Sequence, residues 1–330
     1  MEASTQLSNS NNLEIKVSDE GYRYYEGYRI NDEKDQIYYK TWMPLDENKQ
    51  LIGNIVFVHG FAEYCNRYTP IFQHFLKDGY KIYSFDQVGH GYTAKLKNTF
   101  GRGRGLLRVL KDIDATIESI EDKNLPLILY AQSWGGNCAL NYLAIGKYRD
   151  KIYGGLIGSP CVKVAKESSP PAFIIPILEL ICKVMPWIML KIPIDLDHLS
   201  RVQEIRDAAA KDEMMYDTYQ LLQIRDLVIG GRELLKERYK KINVPHLYIT
   251  HGDVDKVTEY KATKTFYGKL KAYNKIPNLK FETIEGGFHE LQNDLCGDDI
   301  ISRYTTWVRE VCTNFDPKKL PSSALSTSKL

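Results

Sequence analysis

The sequence predicts an α/β fold on a mostly parallel sheet, with helices on both faces and a helical cap inserted between two strands. Three observations carry this reading. Short apolar runs alternate with helical patterns, as in successive βαβ units. Several of these runs are continuously apolar rather than alternating, the pattern of strands covered on both faces. The alternation is then interrupted over residues Ser159 to Lys236, where the pattern is helical.

In chain order the expected strands are Asn54–Val58, Lys81–Phe85, Leu127–Tyr130, Gly154–Ile157, His246–Thr250 and Lys280–Ile284. Residues 1–20 open with a polar stretch rich in Ser and Asn. With no apolar run of the signal-peptide kind, they read as a disordered tail. The core then falls into two parts, 21–158 and 237–316, around a cap at 159–236, and residues 317–330 form a flexible tail. Within the cap, Ile174, Ile177, Leu178, Ile181, Cys182 and Met185 share one helical face, with Glu179 and Lys183 on the other. Such a stripe either packs on the core or meets a membrane or lipid droplet. The surrounding stretch Ala172 to Ile194 is long enough to cross a bilayer, but its three prolines and three charges argue against a span.

Composition sets the outer limits. A chain of 330 residues with 43% hydrophobic and 26% charged residues can bury a large core, which excludes disordered and fibrous classes. Its 44 basic residues against 42 acidic ones argue against nucleic acid as the main partner, because phosphate binding needs a concentrated basic face. The six cysteines form no Cys-x-x-Cys pair, so neither a zinc site nor a redox motif is expected. A reducing compartment, or no need for disulfides, is the simpler reading.

The chemistry gathers just past strand ends. Leu127–Tyr130 runs into Ala131-Gln132-Ser133-Trp134-Gly135-Gly136, and a helical pattern follows. Strand, sharp turn and helix form the context of a nucleophile elbow, in which the residues two before and two after the nucleophile must be small. Ala131 stands where Gly is usual, and is still small. The competing reading makes Ser133 a helix N-cap. A serine nucleophile needs a base and an orienting acid, and in this fold they follow in the order Ser, Asp, His. Strand His246–Thr250 leads into His251-Gly252-Asp253-Val254-Asp255, and strand Lys280–Ile284 into Glu285-Gly286-Gly287-Phe288-His289. Asp253 and Asp255 both qualify as the acid. Strand Asn54–Val58 ends in His59-Gly60-Phe61-Ala62, whose backbone offers an oxyanion donor at Phe61 N–H. The second donor is the N–H after the nucleophile, Trp134. His59 is expected to brace this loop rather than act as a base.

These motifs resemble those of monoacylglycerol lipases, most of all the fungal members. His59-Gly60-Phe61-Ala62-Glu63-Tyr64 followed by Arg67-Tyr68 is similar to their His-Gly-x-x-Glu-x…Arg-Tyr stretch, and Asp86-Gln87-Val88-Gly89-His90-Gly91 to their Asp-x-x-Gly-x-Gly loop. The resemblance runs from about Tyr28 to Phe315 and includes the cap. It implies an α/β-hydrolase fold and favours Asp255 over Asp253. It also implies a Ser133, Asp255 and His289 triad that forms an acyl-enzyme. The implied reaction is hydrolysis of a lipid ester, monoacylglycerol to fatty acid and glycerol, without metal or cofactor. Phe61 and Trp134 depart from the family pattern, and their rings are expected beside the oxyanion site, narrowing the acyl pocket.

Two features point elsewhere. The chain ends in Ser328-Lys329-Leu330, the tripeptide read by the peroxisomal import receptor, which places the protein in peroxisomes, with the cytoplasm and lipid-droplet surface as further locations. Gly101-Arg102-Gly103-Arg104-Gly105 lacks the strand and the Lys-Ser/Thr of a phosphate loop. Arg102 and Arg104 could still meet the phosphates of coenzyme A, which keeps an acyl-CoA thioesterase or acyltransferase open as the alternative reading. A third reading is a catalytically silent lipid-binding protein on the same scaffold.

Overall fold

All six expected strands form, each reaching one or two residues beyond the apolar run at one end or both. The computed structural model describes residues 14–321. Its strands are β1 (Lys16–Ser18), β2 (Tyr22–Ile30), β3 (Gln36–Met43), β4 (Gly53–Val58), β5 (Tyr80–Phe85), β6 (Leu127–Gln132), β7 (Gly154–Gly158), β8 (Met189–Lys191), β9 (Thr218–Gln220), β10 (His246–Gly252) and β11 (Asn278–Ile284). Nine of them make one sheet in the order β1-β2-β3-β5-β4-β6-β7-β10-β11, parallel from β5 to β11 and antiparallel at the β1–β3 edge. This is the α/β-hydrolase fold.

Alternation along each strand divides the core in two. Ile55, Phe57, Ile128, Tyr130 and Tyr248 face helices Thr69–Asp78 and Gly297–Thr313, where they meet Phe72, Phe75 and Val308. Val56, Val58, Leu129, Ala131 and Ile249 face helices Leu106–Glu118, Ser133–Ile145 and Tyr260–Tyr273, where they meet Ile113, Cys138 and Phe266. Burial on both faces is why these strands read as continuous apolar runs. Strand order reverses between β4 and β6, so the loops leaving their C-terminal ends open a crevice above the sheet.

The N-terminal reading is corrected in part. Residues 1–20 were expected to be a disordered tail, but Lys16–Ser18 pairs antiparallel with Tyr22–Tyr24. Residues 1–13 and 322–330, including the Ser328-Lys329-Leu330 address, lie outside the described residues. Strands β2 and β3 were not anticipated because their buried positions are filled by tyrosines interleaved with charges rather than by an apolar run.

Between β7 and β10 the insertion holds helices Ile175–Val184, Gln203–Lys211, Leu221–Ile229 and Gly231–Lys236. It also holds an unexpected β8–β9 hairpin, whose three-residue strands are too short to leave a periodic signal. The glycines of the 101–105 loop pack against this cap. A Cβ at Gly101, Gly103 or Gly105 would meet Thr218, Gln223 or Asp226. The loop is therefore a seam between core and cap, tied by Gln220 N–H to Gly101 O (2.8 Å) and Leu106 N–H to Asp226 Oδ2 (2.8 Å). Among the described residues no helix is long and apolar enough to cross a membrane.

Where β6 turns into helix Ser133–Ile145, a Cβ on Gly135 would collide with the carbonyl oxygens of Val58 and His59 at the end of β4. Backbone cannot yield as a flexible side chain can. Gly135→Ala is therefore expected to cost about 3 kcal/mol in equilibrium urea unfolding. Gly268→Ala, in helix Tyr260–Tyr273 with no atom within 4 Å of the added Cβ, should instead gain about 0.5–1 kcal/mol.

Candidate active site

The three side chains singled out from strand ends converge at the C-terminal edge of the sheet. Ser133 adopts φ +56°, a left-handed conformation that a non-glycine residue reaches only under local constraint. The turn lifts its hydroxyl out of the sheet, where Ser133 Oγ lies 2.8 Å from His289 Nε2. The other ring nitrogen, His289 Nδ1, lies 2.8 Å from Asp255 Oδ2. Ser133 is thus not a helix N-cap: its hydroxyl faces the imidazole, and helix Ser133–Ile145 has no side-chain cap. Asp253 is exposed and accepts a hydrogen bond from Gly286 N–H (2.7 Å), so it is a loop brace.

Asp255 is fully enclosed by donors. Val257 N–H (2.7 Å) and Thr258 N–H (2.9 Å) reach Oδ1, and the Thr258 hydroxyl reaches Oδ2 (2.8 Å). His251 Nε2 lies 3.1 Å from the same Oδ2. Burial alone would raise this carboxyl, but the His289 charge and the hydrogen bonds from His251 and His289 outweigh it and hold Asp255 well below the usual carboxylate range. For His289, burial pulls the imidazole down. The Asp255 charge and hydrogen bond pull it up, with smaller pushes from Glu290 and Glu63, and the result lies above the ordinary 6.5.

A second buried cluster adjoins the first. Arg67 Nη1 lies 2.9 Å from Glu63 Oε2 and 3.2 Å from Glu290 Oε1. Tyr68 Oη donates to Glu63 Oε1 (2.7 Å), which also accepts Gly60 N–H, and Asn293 donates to Glu290 Oε2 (2.7 Å). One guanidinium serves two carboxylates. Burial pushes Glu63 up despite Arg67, whereas at Glu290 the pull of Arg67 exceeds burial and holds it down. The sequence placed Glu63 and Arg67 in a motif without giving them a role. Their i, i+4 spacing was the available signal, but Glu290 lies 223 residues from Arg67 and had none.

Ser133 and His289 of the first cluster and Glu63, Arg67, Tyr68 and Glu290 of the second line a cavity of ≈ 580 Å³ roofed by the cap. Leu178, Ile192, Ile194, Ile224 and Val228 give it apolar walls, and Glu63, Arg67 and Glu290 a polar end near Ser133. Phe61 lines it as expected. Trp134 does not: its ring is 4% exposed, packs into the core and donates from Nε1 to Gln87 Oε1 (3.1 Å). The expectation that Trp134 narrows the acyl pocket is therefore corrected. The ring turns away from the cavity because helix Ser133–Ile145 directs it into the core, where Gln87 holds it. His59 has the bracing role expected of it, with Nδ1 2.8 Å from Gly60 O, and burial lowers its pKa to about 4.

The basic loop does not serve the cavity. Arg104 is held by Asp35 (3.1 Å), and neither Arg102 nor Arg104 is among the lining residues. The cap stripe divides. Leu178 faces the cavity and Cys182 is buried, while Ile177, Ile181 and Met185 remain exposed.

Residues 49–295 match the Hydrolase_4 family, described as serine aminopeptidase, S33. A monoglyceride lipase from Saccharomyces cerevisiae is 25% identical over 244 residues, 69% of this chain and 75% of that protein. A monoacylglycerol lipase from Mycolicibacterium smegmatis is 23% identical over 282 residues, 83% of this chain and 92% of that protein. The crystal structure of a soluble variant of the Saccharomyces cerevisiae monoglyceride lipase, in complex with a substrate analogue, superposes with a TM-score of 0.73. It is 22% identical and covers 87% of this chain and 96% of that one, which shows the shared fold. The chain belongs to the Hydrolase_4 (serine aminopeptidase, S33) family and is a serine hydrolase of carboxylic esters, similar to monoglyceride lipases.

Proposed function

We propose that the chain hydrolyses monoacylglycerol to fatty acid and glycerol through a Ser133–His289–Asp255 triad. The observation that carries this is the Ser133–His289 contact of 2.8 Å, set where a cavity with apolar walls meets a polar end. The volume of ≈ 580 Å³ falls within the range of about 300–1,000 Å³ usual for small-molecule sites. The acyl chain lies along the apolar walls, and the glycerol hydroxyls face Glu63, Arg67 and Glu290.

In this reading Ser133 Oγ attacks the ester carbonyl while His289 Nε2 takes its proton. Asp255 holds the ring with Nδ1–H inward and stabilises the imidazolium. The N–H groups of Phe61 and Trp134 hold the oxyanion, each worth about 3–4 kcal/mol in the barrier. The tetrahedral intermediate collapses, His289 returns the proton to the glycerol oxygen, and glycerol leaves. Water then attacks the acyl-enzyme by the same route and releases the fatty acid. The thioester alternative lacks comparable support. The cavity lining carries Glu63, Glu167, Asp195 and Glu290 against Arg67 and Lys191, a poor setting for coenzyme A phosphates.

Two further parts of the reading concern place. The exposed apolar surface of the cap, with Phe173, Leu180, Val184 and Trp187 each more than 60% exposed, is suited to resting on a membrane or lipid droplet beside the cavity roof. Ser328-Lys329-Leu330 supplies the address for peroxisomal import.

Ser133→Ala should lower monoacylglycerol turnover by at least about 10³-fold and abolish fluorophosphonate labelling, and retained turnover would refute the assignment. Because His289 accepts a proton only when neutral and its pKa lies above 6.5, kcat/KM should fall as pH drops through a midpoint above 6.5. A midpoint below that value contradicts the arrangement. Asp and Ser in place of Leu180 and Trp187 should reduce sedimentation with phospholipid vesicles while leaving hydrolysis of a short soluble ester unchanged. Removing Ser328-Lys329-Leu330 should abolish co-localisation of a fluorescently tagged chain with a peroxisomal marker.

A further inference from the structure

Gln87 and Trp134 form a hydrogen-bonded path between the nucleophile elbow and the loop after β4. Trp134 Nε1–H donates to Gln87 Oε1 (3.1 Å), and Gln87 Nε2 donates to His59 O (2.7 Å). The indole can only donate and the carbonyl can only accept, so a single orientation of the Gln87 amide satisfies both. Gln87 backbone N–H donates to His59 Nε2 (2.9 Å). That bond fixes the tautomer: Nε2 is the acceptor, so Nδ1 carries the proton and donates to Gly60 O (2.8 Å). Gly60 O belongs to the same peptide unit as Phe61 N–H. The unit is trans, so its carbonyl and its N–H point in opposite directions. Holding the carbonyl toward His59 therefore aims Phe61 N–H the other way. That N–H donates to no acceptor among the described residues. Gly60 itself sits against the nucleophile, since a Cβ there would stand 3.1 Å from Ser133 Cβ.

We propose that Trp134 and Gln87 are positioning residues of the oxyanion site, fixing through His59 the Gly60–Phe61 peptide so that its N–H faces the oxygen of the tetrahedral intermediate. Trp134 then serves the site twice. Its backbone N–H, free in the first helical turn, is one donor, and its indole sets the direction of the other. The path is buried throughout: Gln87 is 2% exposed and His59 0%, so water does not compete for these bonds. The inference rests on the serine-hydrolase mechanism above and adds to it a role for a side chain that does not line the main cavity.

Trp134→Phe keeps an aromatic ring in the core but removes the donor together with part of the indole volume, which is why folding is checked, and Gln87→Met keeps the length and removes the amide contacts. Each is compared with the full chain on a p-nitrophenyl ester, with kcat expressed per site from the end-point of fluorophosphonate labelling and folding checked by thermal unfolding. Binding of an alkyl trifluoromethyl ketone, which forms a tetrahedral adduct, is compared with that of an uncleavable 1-O-alkylglycerol ether. Trp134→Phe should lower kcat and ketone affinity together by roughly tenfold, leaving KM and ether affinity within about twofold. The double variant should be no slower than Gln87→Met alone, because both changes cut one path. Unchanged kcat in Trp134→Phe, a loss in KM and ether binding instead of kcat, or multiplied losses in the double variant would overturn the brace. An unreactive wild-type chain would overturn the hydrolase mechanism and the brace with it, whereas a reactive wild type with an unaffected Trp134→Phe overturns the brace alone.

Discussion

The site depends on one backbone constraint, the turn that carries Ser133 from the end of β6 into a helix with φ +56°. A left-handed residue other than glycine costs about 1–3 kcal/mol, and it persists only where the surroundings over-determine it. Here they do. On one side Gly135 lies directly against the last carbonyls of β4, and on the other Gly60 faces the Ser133 side chain. Both glycines are required by close approach. Ala131, by contrast, turns its methyl into the core between sheet and helices, which is why the usual glycine is dispensable at that position.

Around the elbow the protein buries charged groups and surrounds them with hydrogen-bond donors. Asp255 receives donors from its own loop and from two histidines, His289 and His251. The mutual attraction that keeps Asp255 ionised also raises His289, so the carboxyl and the imidazole are set apart by their surroundings. The Glu63–Arg67–Glu290 cluster follows the same logic at the polar end of the cavity. Removing one partner from such a buried set generally costs about 3–5 kcal/mol, because a charge is left unpaired in low dielectric.

The cap meets the core through more than its two chain connections. The 101–105 loop, whose glycines admit the cap backbone and side chains to close contact, joins β9 and the helix Leu221–Ile229 to the loop after β5. Arg104 and Arg108 are drawn toward Asp35 and Asp32 on the β2–β3 turn, which spends their charge on structure. The roof of the cavity is thereby fixed to the sheet that holds Ser133.

What the sequence determined by itself was whatever depends on local order. Most of the parallel strands were legible because burial on both faces demands continuous apolar runs, the edge strand β11 being the exception. The grouping of Ser133, Asp255 and His289 was legible because the residues of the proposed triad follow strand ends in the order Ser, Asp, His. Strands β2 and β3 leave no apolar run because tyrosines and charges mask their period, and the β8–β9 hairpin leaves none because three residues make no pattern. Only the tertiary structure decided which way side chains point and which distant charges meet. It turned Trp134 away from the cavity and onto Gln87, engaged Arg104 with Asp35, and brought Glu290 to Arg67 across 223 positions. The reason is physical. Strand and elbow propensities are encoded within a few neighbouring residues, whereas the direction of a side chain and the partner of a charge are set by packing between segments that share no local signal.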